Sequence, residues 1–342
     1  MMSKVVASFF LSLVFCSGTI VSAQVSDKLT RQGHHSSPGE AVPMPAASPT
    51  PDLISLRKPD GLILSTGNVF FTSHDAAGAT VWRTSQTSIP GQETVLFWEP
   101  GARFGDIVFA QVDGAFFGYF FALKQNVLTI RRVPLTGGAA TVLATIPNNV
   151  DIANSHRNLI TDGVNIYWQD DVAIRKIPIR GGPMTVIDPS NPNTPLAGLA
   201  FQNGNIVYAS VAEIRFVPPN GSSDPPSSRI IVTAASRVVS LHAVSNGVYW
   251  GDNNGAVKRK VGANTLTLQS TGGLASSISS SGPAAGGTEA WTECSGSQCR
   301  LHVKFLFFSL TRPVADNPIG VTVMPGRRIF WGDAAGVHRR TF

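Results

Sequence analysis

One short pattern recurs seven times between residue 60 and the C-terminus of the chain. Each copy has a turn residue followed by glycine, then a strand-like run ending in an aromatic residue, then a run with a basic residue. The turn pairs are Thr66-Gly67, Asp113-Gly114, Asp162-Gly163, Asn203-Gly204, Asn246-Gly247, Ser281-Gly282 and Pro325-Gly326. Their glycines are 47, 49, 41, 43, 35 and 44 residues apart. Short strands repeating at about 40–50 residues are typical of β-propeller blades.

The aromatic and basic runs predict the second and third strands of each blade, and a further apolar run follows most of them. We expect one aromatic per blade to fill the layer between blades, because packing blades around an axis buries their apolar faces. These aromatics are Phe71, Trp168, Tyr208, Trp250, Trp291 and Trp331, with the run Tyr119-Phe120-Phe121 in the second copy. The basic runs contain Arg83, Arg131, Arg175, Arg215, Arg259 and Arg339.

The two ends of the repeat region predict how the ring closes. The last copy supplies three strands, Ile319–Met324, Arg328–Asp333 and 337–342, and then the chain ends. The run 53–57 (Leu-Ile-Ser-Leu-Arg) is a lone strand before the first copy, and pairing it with 337–342 would cover an exposed sheet edge. We therefore predict an all-β propeller of seven four-stranded blades, with six as the alternative, in which Leu53 or Ile54 is buried together with Leu56.

Composition agrees with many short strands. Charged residues are 14% of the chain, while 33 glycines and 23 prolines interrupt nearly every helical window. The formal net charge is +6, but the basic residues are dispersed. Nucleic-acid binding requires a clustered basic stripe, so no nucleic-acid partner is expected.

The N-terminal segment predicts export. Lys4, an apolar run and Val21-Ser22-Ala23 form the pattern of a cleavable signal peptide over residues 1–23. Residues 24–51 are rich in Pro, Ser and small side chains, which predicts a disordered tail, and residues 52–342 form the propeller. The mature protein is then expected to be secreted or periplasmic, monomeric and without a membrane anchor.

Two cysteines remain after signal cleavage, Cys294 and Cys299. They flank Ser-Gly-Ser-Gln, which has the composition of a turn. In an exported protein this spacing predicts a disulfide across the end of a hairpin, with Cα atoms within about 6 Å. No further Cys and no His at a zinc-like spacing accompanies them, so no metal or other cofactor is expected.

The repeat resembles the YWTD-type propeller repeat. The resemblance rests on an aromatic, Trp, one variable residue and Asp, then Ile or Val before a basic residue. The best copies are Ile166-Tyr167-Trp168-Gln169-Asp170 with Ile174-Arg175 and Gly181-Gly182, Tyr249-Trp250-Gly251-Asp252, and Phe330-Trp331-Gly332-Asp333. That family is six-bladed, whereas seven copies are counted here. The chain is equally similar to secreted TolB-like and NHL-like propellers, and these resemblances imply the fold only.

Two repeated polar positions each have two interpretations. Asp170, Asp252, Asp333 and Glu293 could form a ring of carboxylates that binds a cation, or each could accept hydrogen bonds from a hairpin backbone. The arginines of the basic runs could contact a ligand, or could form ion pairs and face solvent. A position needed in every blade favours the structural interpretation in both cases.

Departures from the repeat indicate where a ligand could bind. The segments entering the first strands should line one mouth of the central channel. There the unusual polar residues are Arg103, Asp106, His156, Arg157, Asn158 and His242, which are our candidate binding residues.

No catalytic residue is predicted, because no motif of a hydrolase, metalloprotease or phosphate-binding loop is present. The sequence favours a non-enzymatic binding propeller for a protein or small ligand at the propeller face. The alternative is a metal-assisted hydrolase or lyase with its site at the channel mouth. Acidic residues are scarce in the expected first strands, which argues against that alternative.

Overall fold

The computed structural model describes residues 53–341, apart from 66, 147–158, 171–172, 190–195, 271, 281–286, 306–307, 317 and 325–327. Regular structure in these residues is β-strand, except for one 3₁₀ turn at Pro226–Arg229. The described part of the chain contains no helix with the length and apolar character needed to cross a membrane.

The strands form seven separate four-stranded antiparallel sheets, each a blade. The first four blades are β2 (Gly61–Ser65), β3 (Asn68–His74), β4 (Gly78–Ser85), β5 (Thr94–Pro100); β6 (Ala102–Val112), β7 (Ala115–Lys124), β8 (Val127–Pro134), β9 (Thr141–Ile146); β10 (Ile160–Thr161), β11 (Asn165–Gln169), β12 (Ala173–Pro178), β13 (Thr185–Pro189); and β14 (Leu196–Gln202), β15 (Asn205–Ser210), β16 (Glu213–Val217), β17 (Ile230–Thr233). The last three are β18 (Val238–Val244), β19 (Gly247–Asp252), β20 (Ala256–Val261), β21 (Asn264–Ser270); β22 (Leu274–Ser280), β23 (Thr288–Ser295), β24 (Gln298–Phe305), β25 (Phe308–Val314); and β26 (Ile319–Met324), β27 (Arg328–Asp333), β28 (Gly336–Thr341) with β1 (Leu53–Ser55). The prediction of an all-β, seven-bladed propeller is confirmed, and the six-bladed alternative is wrong.

The turns between first and second strands follow the predicted pairs in most of the described copies. Asn203 and Gly204 both have positive φ, 48° and 79°, which a two-residue hairpin turn of this hand needs. The Asn246-Gly247 prediction is off by one residue, since Val244 pairs with Gly247 and the turn is Ser245-Asn246. The predicted turns Ser281-Gly282 and Pro325-Gly326 lie outside the described residues.

One aromatic per blade occupies the same buried position on the second strand, as predicted. Each pairs with the same position of the third strand, and none is more than 5% exposed. The pairs are Phe71–Trp82, Phe120–Arg131, Trp168–Arg175, Tyr208–Arg215, Trp250–Lys258, Trp291–His302 and Trp331–His338. The register identifies Phe120 as the member of this set in blade 2. The aromatics pack between neighbouring blades; Trp168, for example, shares a buried cluster with Tyr119 and Phe121 of the preceding blade.

A β-bulge recurs in the fourth strand of blades 1 to 5. In blade 1, Val81 pairs with Phe97 and Trp82 pairs with Val95, which leaves Leu96 as the extra residue. The corresponding extra residues in the next four blades are Leu143, Ile187, Ile231 and Leu268. All five are aliphatic, so the bulge turns one more apolar side chain of each outer strand toward the blade's neighbour.

The ring is closed by β1, as predicted. Leu53 pairs with His338 and Ser55 with Val337, so Ile54 is the extra residue and is fully buried. The N-terminal segment therefore reproduces the bulged fourth strand of the other blades. The predicted burial of Leu56 is wrong, because Leu56 is 68% exposed. It lies just past the strand, at the position that exposed Trp98 occupies in blade 1.

Candidate ligand site at the channel mouth

The repeated carboxylates lie at the hairpins between the second and third strands. Asp252 Oδ1 accepts hydrogen bonds from the backbone N–H groups of Asn254 and Ala256, at 3.1 and 3.0 Å. Asp170 and Asp333 accept the corresponding bonds from Ala173 and Ala335. The acids also pair with the basic residue of the third strand: Asp170 with Arg175, Asp252 with Lys258, Glu293 with His302, and Asp333 with His338. The three aspartates therefore have the geometry of a structural capping position, and in the described structure Glu293 has the ion pair alone.

The repeated arginines form structural contacts, some within one blade and some between neighbouring blades. Arg131, Arg175, Arg215 and Arg259 form ion pairs with Glu99, Asp170, Glu213 and Glu289 respectively. Arg83 and Arg339 instead donate to the carbonyls of Leu135 and Gln86, each just after the third strand of the next blade. These contacts agree with the structural interpretation of the basic runs.

The first strands surround a central channel of about 1190 Å³. Arg103, Asp106 and His242, three of the six predicted site residues, line it. The other three, His156, Arg157 and Asn158, lie outside the described residues. Arg103 and Asp106 are near the start of β6, the end of the channel at which the first strands begin, and this end is called the mouth below.

Asp106 lies in a β-bulge of the first strand of blade 2. Phe104 pairs with Ala122 and Ile107 with Phe120, so Gly105 and Asp106 together oppose Phe121. Asp106 immediately precedes Ile107, the first-strand residue that pairs with the buried aromatic Phe120. In four other blades the residue at this position is small: Gly61, Gly198, Ser240 and Ser277. Blade 2 thus places a carboxyl where those blades have a small residue.

The carboxyl of Asp106 joins two blades. Oδ1 accepts a hydrogen bond from the N–H of Ile107, and Oδ2 accepts one from the N–H of Leu159, both at 2.9 Å. Burial in the channel wall raises the pKa of Asp106 to about 7, against the opposing effect of these two hydrogen bonds. A substantial fraction of Asp106 is therefore uncharged at neutral pH.

The mouth also contains a hydrogen-bonded chain of three side chains that the sequence did not reveal. Asp60 Oδ2 lies 2.6 Å from His74 Nδ1, and His74 Nε2 lies 3.3 Å from Arg103 Nη2. Burial raises the pKa of Asp60, and the contact with His74 opposes that rise. Asp60 precedes β2, His74 ends β3, and Arg103 is near the start of β6. These hydrogen bonds therefore connect blades 1 and 2.

His74 had a weak signal in the sequence. His74 is the third residue after the buried aromatic Phe71, and the same position holds Asn253 in blade 5 and Cys294 in blade 6. All three line the channel. The residue that follows the repeated Asp therefore predicts the lining of the channel mouth better than the Asp itself does.

His242 lies away from this group. It follows Leu241, the partner of Trp250, so it is about two strand residues, roughly 7 Å, further into the channel than the level of Asp106. Its Nε2 is 3.3 Å from the carbonyl oxygen of Ser280 in blade 6, to which it donates. Burial lowers the pKa of His242, so the ring is neutral and serves as a contact between blades 5 and 6.

The remaining cations of the channel come from other parts of the ring. Lys58 precedes blade 1 and Arg237 precedes blade 5, and both are exposed and line the channel. In the residues that the structure describes, no group of three or more His, Cys, Asp or Glu side chains is arranged to hold a metal ion.

Comparison with known proteins supports the fold only. No family model and no curated protein sequence matches the chain. The WD40 propeller domain of Doa1 is similar, with a TM-score of 0.55 and 14% identity over 83% of this chain and 92% of that chain. A chain of a mitotic checkpoint complex has a TM-score of 0.58 and 11% identity over 90% and 99%. A chain of a nidogen–laminin complex has 16% identity over 68% and 86%, with a TM-score of 0.44 that is too low to support an argument.

Proposed function

We propose that this protein is an exported, non-enzymatic binding propeller that holds a small ligand, or an exposed group of a protein partner, at its channel mouth. The observation that supports this most directly is the set of polar side chains at one end of the wide channel. Arg103, His74 and Asp60 form a connected group there, on the ends of three strands of two rigid blades. Polar groups converging in a concave site are typical of ligand binding.

Binding is favoured over catalysis by the roles of the acidic groups. Asp60 is held by His74, and Asp106 accepts two backbone hydrogen bonds. Neither carboxyl is paired with a nucleophile within hydrogen-bond distance in the described residues, as acid–base chemistry on a nucleophile would require.

Export is supported by two features. The signal-like pattern of residues 1–23 predicts secretion or delivery to the periplasm. The disulfide between Cys294 and Cys299 suits an oxidising compartment. In this proposal residues 24–51 form a tail between the cleavage site and the propeller.

The test is a binding screen of the mature chain, residues 24–342, on arrays of peptides and of neutral and acidic oligosaccharides. Arg103→Glu reverses a charge at the mouth. Arg180→Glu makes the same change at an exposed pair with Asp113, beside the turn at the other end of β6. Ligands lost with Arg103→Glu and kept with Arg180→Glu would support the proposal. If every captured ligand responds to both variants equally, or to neither, the mouth is not the binding surface.

A further inference from the structure

The hydrogen bonds that link Asp60, His74 and Arg103 set the orientation and the tautomer of the central imidazole. A guanidinium can only donate hydrogen bonds, so His74 Nε2 accepts from Arg103. The proton of the neutral ring is then on Nδ1, which donates to Asp60 Oδ2 at 2.6 Å. Asp60 thereby fixes His74, and His74 supports Arg103 from one side only.

Arg103 differs from the arginines of the blades in having unused donors that face the channel. Its guanidinium has five N–H groups, and the contact with His74 uses one of them. In the described structure its hydrogen bond is to an imidazole, whereas Arg131, Arg175 and Arg229 each pair with a carboxylate. An exposed planar fork of N–H groups matches the two oxygens of a carboxylate, phosphate or sulfate.

The charges around the mouth also favour an anion. The exposed cations that line the channel are Lys58, Arg103 and Arg237. Of the two acids that line the channel in the described part of the chain, Asp60 is engaged by His74, and Asp106 bonds two backbone N–H groups with its pKa raised to about 7. Among the described residues, positive charge therefore exceeds negative charge at the mouth, and low-dielectric walls focus the resulting field.

We propose that the channel mouth binds its ligand through an oxyanion group, a carboxylate, sulfate or phosphate, with Arg103 as the principal donor and Arg237 and Lys58 adding positive charge. This inference rests on the proposed function and names the chemical class that the site recognises. The channel exceeds the volume of an ordinary small-ligand pocket, so it has room for an oxyanion group carried by a larger ligand as well as for a free anion.

The test is isothermal titration of the mature chain with three probes at low salt, about 20 mM, where charge interactions are least screened. Sodium sulfate tests the free anion, trigalacturonate tests the same chemistry on an oligosaccharide, and a neutral galactose trimer is the control. We expect at least one acidic probe to bind and the neutral trimer not to bind. Tighter binding of trigalacturonate than of sulfate would assign the group to a larger ligand, and the reverse would assign it to a free anion.

Arg103→Met keeps the apolar stem of the side chain and should weaken binding by about tenfold, since hydrogen bonds to charged groups are the strong ones. Arg180→Met removes the same charge at the far end of the blade and should change affinity less than about twofold. His74→Asn should give a smaller loss than Arg103→Met, because it removes the support of Arg103 but not its charge. Unchanged melting temperatures would show that the variants are folded.

The inference fails if neither acidic probe binds, or if Arg103→Met and Arg180→Met weaken binding equally. A neutral array ligand that is lost with Arg237→Met and not with Arg180→Met would overturn the oxyanion assignment while leaving the proposed function in place. If binding of the acidic probes is weakened by Arg180→Met alone, both the oxyanion assignment and the proposed function are contradicted.

Discussion

At the residue scale, the buried aromatic of each second strand and its partner on the third strand form a repeated unit. In blade 5 the unit is Trp250 opposite Lys258, and Lys258 Nζ is 3.3 Å from Asp252 Oδ2. Blade 1 builds the same unit from other residues, since Trp82 Nε1 donates to Ser73 Oγ at 2.8 Å. The aromatic is therefore required for packing between blades, while its polar partners vary.

Replacing Trp250 with alanine should lower the free energy of unfolding by about 3–5 kcal/mol, because a large cavity would remain between two rigid blades. Trp98→Ala is the matched control, since Trp98 is 51% exposed, and should cost less than about 1 kcal/mol. Urea titration followed by fluorescence or circular dichroism measures both. Similar losses for the two variants would show that the inter-blade layer is not as tightly packed as described.

Asp106 makes stability depend on pH. Its pKa in the folded protein is about 7, above the ordinary 3.8, so its contribution is fully present below pH 3.8 and is lost as the pH rises to about 7. Asparagine resembles the protonated acid and does not titrate. Between pH 4.5 and 7.5 the melting temperature of Asp106→Asn should therefore rise relative to wild type by about 4 °C or more. Parallel melting curves across this range would contradict the raised pKa.

Residue identity alone predicted part of the lining of the channel mouth. Arg103 and Asp106 were found because they depart from the repeat in a first strand. Asp60 and His74 were missed because Asp60 precedes β2 and His74 ends β3, so they meet only when these two strands of blade 1 pair. Arg103 of blade 2 then reaches His74 across the contact between the two blades. Thr72 donates to the carbonyl of Gly105 at 2.6 Å in the same contact, and no sequence spacing reports such a pairing between blades.

At the element scale, the hairpin of β23 and β24 confirms the predicted disulfide. Cys294 and Cys299 are directly paired across the hairpin, with Cα atoms 4.1 Å apart. The local spacing was sufficient here, because both cysteines are in one turn and its flanking strands. The bridge closes only a short loop, so it constrains the unfolded chain little.

The double variant Cys294→Ser with Cys299→Ser should remain folded and lose about 2 kcal/mol of stability, the amount expected for so short a loop. Thiol labelling of the unreduced, unfolded mature protein should find no free thiol, and labelling after reduction should find both. Two reactive thiols before reduction would show that the bridge does not form in the native protein.

The order of the strands was predictable from the sequence. It was not predictable which of two adjacent basic residues on a strand contacts the neighbouring blade. Arg175 and Arg215 pair within their own blades, whereas Lys176 donates to the carbonyl of Pro219 in the next blade at 2.8 Å. Because successive side chains of a strand alternate between faces, the assignment depends on an exact register that the repeat shows only to within one residue. The one-residue error at Asn246-Gly247 has the same origin.

At the scale of the whole molecule, ring closure depends on three residues at the start of the described chain. Ile54 occupies the bulge position that Leu96 and Ile187 occupy in other blades, and all three are buried. The sequence predicted which strand closes the ring, because 53–57 was the one strand-like run left unassigned. It did not predict the bulge, which buries Ile54, ends the strand at Ser55 and leaves Leu56 in solvent.

Closure of the seven-bladed ring by β1 is tested most directly by differential scanning calorimetry of two truncated proteins. Both start from the mature chain; one lacks residues 24–51 and the other lacks 24–58. The first should melt at the temperature of the mature chain. The second loses Ile54 from the core and exposes the edge of β28, so it should melt several degrees lower or aggregate. Equal melting temperatures for the two truncations would show that the ring is closed in another way, or not closed at all.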